Sequence, residues 1–148
     1  MDQWEQSGYP VRSILRILGK HGLLHKSFSI EFGGEGLSLW HNVILQEELS
    51  KIPAGSIGML VATHLDIVSS MLARYGSTKI VTSWIPKAIK GEVVLSLALS
   101  ERNAGSDLTS IDTHYIKDGD KYVLSGEKWF ITNALHADGF VFLLEKTQ

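Results

Sequence analysis

The chain has 148 residues, 44% apolar and 20% charged, a balance that suits one modest folded domain or two small pieces of a larger one and excludes a disordered polymer. Its formal net charge of -2, with Lys and Arg dispersed, excludes nucleic acid as the main partner, because phosphate binding needs a clustered basic surface. The lack of Cys excludes disulfides, thiolate metal sites and a Cys nucleophile together. No apolar run reads as long enough to span a bilayer, so no membrane partner is expected. The first residues lack the basic and apolar segments of a secretory leader. The default reading is an intracellular enzyme or binding protein, cytoplasmic or, in a eukaryote, in the mitochondrial matrix.

The first half predicts helices. Pro10 suits a first helical turn, with Val11, Ile14, Leu15 and Leu18 on one face and Gly19 and Gly22 punctuating the end. Residues 31–36 hold three glycines in their last four positions and read as a loop. Ser38 is a candidate N-cap for a second helix carrying Leu39, Val43, Gln46 and Leu49, closed by Pro53. Ile57, Leu60, Val61, Leu65, Val68, Met71 and Leu72 make the apolar stripe of a third, with Gly76 as a left-handed C-cap. Ser77 or Thr78 starts a short fourth helix with Val81, Trp84 and Ile85, which Pro86 limits.

At Gly91 the period changes. Val93, Leu95, Leu97 and Leu99 alternate with smaller residues, as in a strand. Residues 111–117 and 121–125 flank Asp118-Gly119-Asp120, a hairpin signal. Residues 127–133 and 140–145 complete the expected strands. These few strands would leave an open apolar edge, which soluble proteins avoid, so the chain is expected to be part of something longer. The fold class is α+β: a helical domain over 1–91, then the start of an antiparallel β-barrel-like domain over 92–148.

Two segments could carry chemistry. In residues 97–107 a strand ends at the Ser100 hydroxyl. A turn then presents backbone N–H groups around Gly105 beside Ser106, an arrangement that can cradle a phosphate or serve as an ordinary capped loop. Residues 126–133, Gly-Glu-Lys-Trp-Phe-Ile-Thr-Asn, put aromatic and hydroxyl side chains together. They could pack on a flat ring and donate to it, or simply fill a core. His64 falls on the stripe of the third helix and reads as a packed histidine. The other five His show no metal-ligand spacing.

Together and in this order, Ser-Glu-x-x-Ala-Gly-Ser-Asp, the Asp-Gly-Asp hairpin and Gly-x-Lys-x-x-Ile-Thr-Asn resemble the acyl-CoA dehydrogenase family. Upstream, Phe32-Gly33-Gly34-Glu35-Gly36-Leu37, Glu47-Glu48-Leu49, Tyr75-Gly76-Ser77 and Ile85-Pro86-Lys87 resemble the same family. The resemblance implies a helical domain, a middle β-domain and a C-terminal helical bundle with FAD held between them. It would set Leu97, Leu99 and Ser100 along the isoalloxazine ring, and Gly105 and Ser106 near the pyrophosphate, with Ser106 also near an acyl-CoA substrate. Phe130, Ile131 and Thr132 would cover the rest of the flavin, the Thr132 hydroxyl close to N5. The implied reaction removes an α proton from an acyl thioester while the β hydrogen leaves as hydride. Its usual Glu base would lie beyond Gln148, and the implied partners are an electron-transferring flavoprotein or similar acceptor and further copies of the whole protein. Ser100 stands where the family commonly has Thr, and Arg102 and Asn103 replace a common Pro-Gly. An acyl-CoA oxidase or flavin monooxygenase on the same scaffold, or a truncated non-catalytic binding module, are the competing readings.

Overall fold

The computed structural model describes Trp4 and residues 8–146. The leader reading at the N-terminus and the closing Gln148 fall outside them. Helix α1 (Val11–Lys20) starts directly after Pro10 and buries Val11, Leu15 and Leu18. A short 3-10 turn, Ile30–Phe32, follows within the glycine loop. Helix α2 (Trp40–Ser50) buries Asn42, Leu45 and Leu49. The face expected from apolar counting is thus corrected, for Leu39 and Val43 are exposed. Asn42 turns inward because it has a partner: its amide donates to Asp66 at 2.6 Å, and Gln46 donates to the other carboxylate oxygen at 2.9 Å. Burial pushes the Asp66 carboxyl above its ordinary value, partly offset by the Asn42 and Gln46 amides.

Helix α3 (Gly55–Tyr75) has 21 residues and a mean hydropathy of 1.4, long and apolar enough by length and composition to cross a membrane. That corrects the reading that no run is long enough. In this fold the apolar stripe is core: Ile57, Leu60, Val61, Leu65 and Val68 are all buried. Its centre, Thr63–Ser69, is π-helical, and the Ser69 and Ser70 hydroxyls donate to carbonyls five residues back. Gly76 is extended rather than left-handed, at φ -68° and ψ 151°. A Cβ there would press on the Leu72 carbonyl oxygen, so close approach is what requires glycine. Helix α4 (Thr78–Ala88) includes Pro86 in its last turn instead of stopping before it.

The helical part passes to the β part through a backbone contact. Gly91 has φ +68° and lies against the Leu15 carbonyl of α1, while Gly19 of α1 lies against the Lys90 carbonyl. Gly91→Ala would force a Cβ into backbone and strain a left-handed residue. We expect a loss of about 1–3 kcal/mol, read by urea unfolding, whereas Gly105→Ala, where a Cβ meets open space, should change stability little.

Among the described residues five strands follow: β1 (Leu95–Ala98), β2 (His114–Asp118), β3 (Lys121–Ser125), β4 (Gly139–Phe142) and β5 (Glu145–Lys146). β2 and β3 form the expected antiparallel hairpin, with Asp118 opposite Lys121. β1 pairs in parallel with β4, and β2 in parallel with β5. Leu95 packs with Val68 of α3 and Ala88 of α4, so β1 is seated directly on the helices. The strand expected over 127–133 does not form. Phe130 (φ 56°) and Asn133 (φ 68°) are both left-handed, which breaks the extended run despite its β-favouring composition.

Candidate functional site

The first candidate segment leaves the sheet after Ala98. Leu97 sits opposite Val141 in the β1–β4 register, and Leu99 and Ser100 are half-buried at the strand exit. Glu101 and Ala104 then exchange backbone hydrogen bonds at 2.8 and 3.3 Å, closing a tight turn with Ala104 buried beneath it. Gly105 and Ser106 follow in the open. Among the described residues nothing bonds their N–H groups or the Ser106 hydroxyl. Asp107 ends the turn by accepting from the Thr109 N–H at 3.0 Å and from the Thr109 and Ser110 hydroxyls. Those three donors hold its carboxyl below the ordinary carboxylate range.

The second candidate segment lies beside the first. The Trp129 N–H donates to the Ser100 carbonyl at 2.8 Å. The Lys128 ammonium donates to the Leu99 carbonyl at 2.9 Å and to Glu101 Oε1 at 2.7 Å. This ion pair is buried, the side chains exposing only 6% and 7%. Glu101 also accepts from the backbone of Asp112 at 2.6 Å and of Thr113 at 3.0 Å. Burial pushes its carboxyl up, but the Lys128 ammonium, the Thr113 hydroxyl and the two backbone N–H groups together outweigh it and hold the pKa at about 2. Neither residue drew a role from the sequence, although each lies inside a quoted motif.

At the far end of the segment, Ser96 Oγ donates to the Thr132 carbonyl at 2.5 Å. The Asn133 amide reaches the Leu60 carbonyl at 3.0 Å and that of Leu95 at 3.4 Å. Between these anchors Phe130 projects with 91% of its surface exposed. Ile131 and Thr132 line a cleft of about 360 Å³ against Met59 and Leu60 of α3 and Tyr9 near α1. The Thr132 hydroxyl has no protein partner among the described residues. Ser100, Leu99 and the 128–132 segment are therefore adjacent, Gly105 and Ser106 open outward from the same turn, and the cleft that Ile131 and Thr132 line does not include them.

Two further contacts fix this region to the helices. Arg12 of α1 grips Asp138 with both terminal nitrogens, at 2.9 and 2.7 Å. His64 of α3 accepts from the Leu95 N–H at 3.1 Å through Nδ1, so Nε2 carries the proton it donates to the Ala88 carbonyl at 3.0 Å.

The model of the acyl-CoA dehydrogenase N-terminal domain matches residues 1–92, more than half of the chain. The chain belongs to the acyl-CoA dehydrogenase family. The middle-domain model of the family matches residues 96–148. The mitochondrial isovaleryl-CoA dehydrogenase of Bos taurus is 37% identical over 131 residues, covering 88% of this chain and 30% of that enzyme. The crystal structure of an acyl-CoA dehydrogenase from Geobacillus kaustophilus is 36% identical with a TM-score of 0.90, over 97% of this chain and 37% of that one. An acyl-CoA dehydrogenase from Bacillus anthracis, solved in complex with FAD, is 28% identical with a TM-score of 0.90, over 98% of this chain and 25% of that one. This member of the family thus spans about a third of the length of the relatives it matches.

Proposed function

We propose that this acyl-CoA dehydrogenase chain supplies the flavin-facing and pyrophosphate-facing surfaces of an FAD-dependent enzyme that desaturates an acyl-CoA thioester between its α and β carbons. The helical part through Gly91 gives the seat and the part from Glu92 gives the contacts. One observation carries the reading: residues 99–101 and 128–129 are joined by the Trp129–Ser100 hydrogen bond and the Glu101–Lys128 pair. That junction brings the two motifs to one place.

FAD fits the residues present. Gly105 and Ser106 offer unpaired N–H donors, with open space where a Cβ would stand at Gly105, suited to a diphosphate. Phe130 offers an exposed ring, and the Thr132 hydroxyl is unpaired. In this reading Leu97, Leu99 and Ser100 edge the isoalloxazine, Ile131 and Thr132 cover its reacting side, and Ser106 also meets the acyl-CoA. When bound, FAD supplies the hydride acceptor. The chain's own part is to bind it, align it and keep water away. Ser100 retains a hydroxyl donor for the ring edge. Glu101 and Asp107 are weak proton acceptors, because their donors hold both carboxyls below the ordinary carboxylate range.

Thr132→Val tests the assignment, because it keeps β-branching and removes only the hydroxyl. FAD affinity should fall by less than about tenfold. The flavin potential should become more negative by about 10–30 mV, since a donor to the ring stabilises the more electron-rich form. Potentiometry and rapid-mixing reduction by an acyl-CoA on the flavin-loaded full-length protein read both. Unchanged potential and rate would remove Thr132 from the site.

A further inference from the structure

We propose that the Glu101–Lys128 ion pair is a positioning device that sets the spacing between the turn at 101–107 and the segment at 128–132, and so pre-organises the cofactor site. The proposal rests on the flavin reading for its consequence, but its geometry stands without it. Residues 128–132 belong to no strand, and Phe130 is in a conformation that β-sheet pairing cannot hold. Such a segment needs anchors other than a ladder. It has one at each end: Lys128 and Trp129 on Leu99, Ser100 and Glu101, and Thr132 and Asn133 on Ser96, Leu95 and Leu60. The Glu101 carboxylate simultaneously takes the N–H groups that lead into β2. Three pieces of chain therefore meet on two side chains.

Stability alone does not account for charges at this point. Two buried charges hydrogen-bonded to each other gain little over apolar residues of equal volume, because desolvation offsets their attraction. Direction is what they add. An ammonium shared between the Leu99 carbonyl and Glu101, with a carboxylate bonded on both oxygens, leaves one allowed distance between the two segments.

The double variant Glu101→Leu/Lys128→Met separates positioning from mere stability, because neither charge is left unpaired. It also leaves the Asp112 and Thr113 N–H groups and the Leu99 carbonyl without their side-chain partners, so it should unfold at a clearly lower temperature than the wild type, while the folded variant binds FAD about tenfold or more weakly, the cost of ordering a site no longer pre-organised. The visible band of bound FAD should lose its vibronic structure, and the Trp129 amide should exchange faster with or without FAD. Lys128→Arg, which keeps the charge and the donors, should recover most of the affinity. Wild-type affinity, spectrum and Trp129 protection in a stable double variant would overturn the proposal. A wild-type protein that takes up no FAD, while the double variant still loses Trp129 protection, would remove the flavin reading and leave the positioning role standing. If the double variant is too unstable to load, Lys128→Arg decides: retained Trp129 protection supports the pair, and protection lost there overturns it.

Discussion

Lys128→Met alone is expected to lower stability by about 3–5 kcal/mol at neutral pH, the cost of stranding a buried carboxylate without its counter-ion. The variant keeps the apolar stem but deletes the ammonium that Glu101 and the Leu99 carbonyl share. Two backbone N–H groups remain on Glu101, and they lessen the penalty without cancelling a charge. The charge part of that loss has a ceiling, and the Leu99 carbonyl left without its donor adds to it. The stranded group can protonate instead, and at pH 7 neutralising a carboxyl of ordinary pKa 4.5 costs about 3 kcal/mol. The pH dependence follows with a definite sign. In the wild type the pair holds Glu101 at about 2, well below the unfolded value, so its contribution is present above pH 4.5 and is lost as pH falls toward 2. In the variant the carboxyl favours protonation, so the gap between the two proteins should be widest at pH 7 and narrow toward pH 4. Urea unfolding at those two pH values measures it. A loss below about 1 kcal/mol with no pH dependence would mean that the pair behaves as an exposed surface bridge.

The same pair shows what sequence patterns can and cannot carry. Helices α1, α3 and α4 were legible because a single apolar stripe, such as Leu15 and Leu18 or Ile57 to Val68, repeats at helical spacing and is buried on that face. Helix α2 was legible as a helix but not in its orientation. Its inward residue is Asn42, and counting apolar residues is blind to an amide whose partner, Asp66, lies 24 positions away. The π-helical centre of α3 left no periodic trace either. The hairpin at 118–120 was legible from its turn residues. Residues 127–133 misled because Trp, Phe, Ile and Thr favour strands on average. Side-chain anchors from Lys128 and Asn133 here impose another path. The motifs pointed to both candidate segments, and yet the contact that joins them, between residues 27 apart, has no signature short of the folded structure.

Replacing His64 should expose the second large dependence, the seating of β1 on the helices. His64 is fully buried, and its ring bridges the Leu95 N–H of β1 and the Ala88 carbonyl at the end of α4. His64→Phe fills a similar volume but leaves the Leu95 N–H without a partner in an apolar interior, while the Ala88 carbonyl keeps the Gly91 N–H at 2.9 Å. A buried N–H left unpaired costs about 1–3 kcal/mol, and a loss of that size is expected in urea unfolding. Wild-type His64 also adds a pH dependence. Burial lowers its pKa below the ordinary 6.5, outweighing the Ala88 carbonyl, which raises it. Above that pH both folded and unfolded chains hold the ring neutral, and its full contribution is present. As pH falls below it, the unfolded chain takes up a proton that the folded ring refuses. Stability then drops by up to about 1.4 kcal/mol per pH unit until the folded ring itself protonates. In His64→Phe that component is gone, so its stability should fall less steeply between pH 6.5 and 5 than the wild type's. The difference between the two slopes isolates His64 from the other five histidines. Parallel slopes, or a variant as stable as the wild type, would show that β1 stays seated without the imidazole bridge.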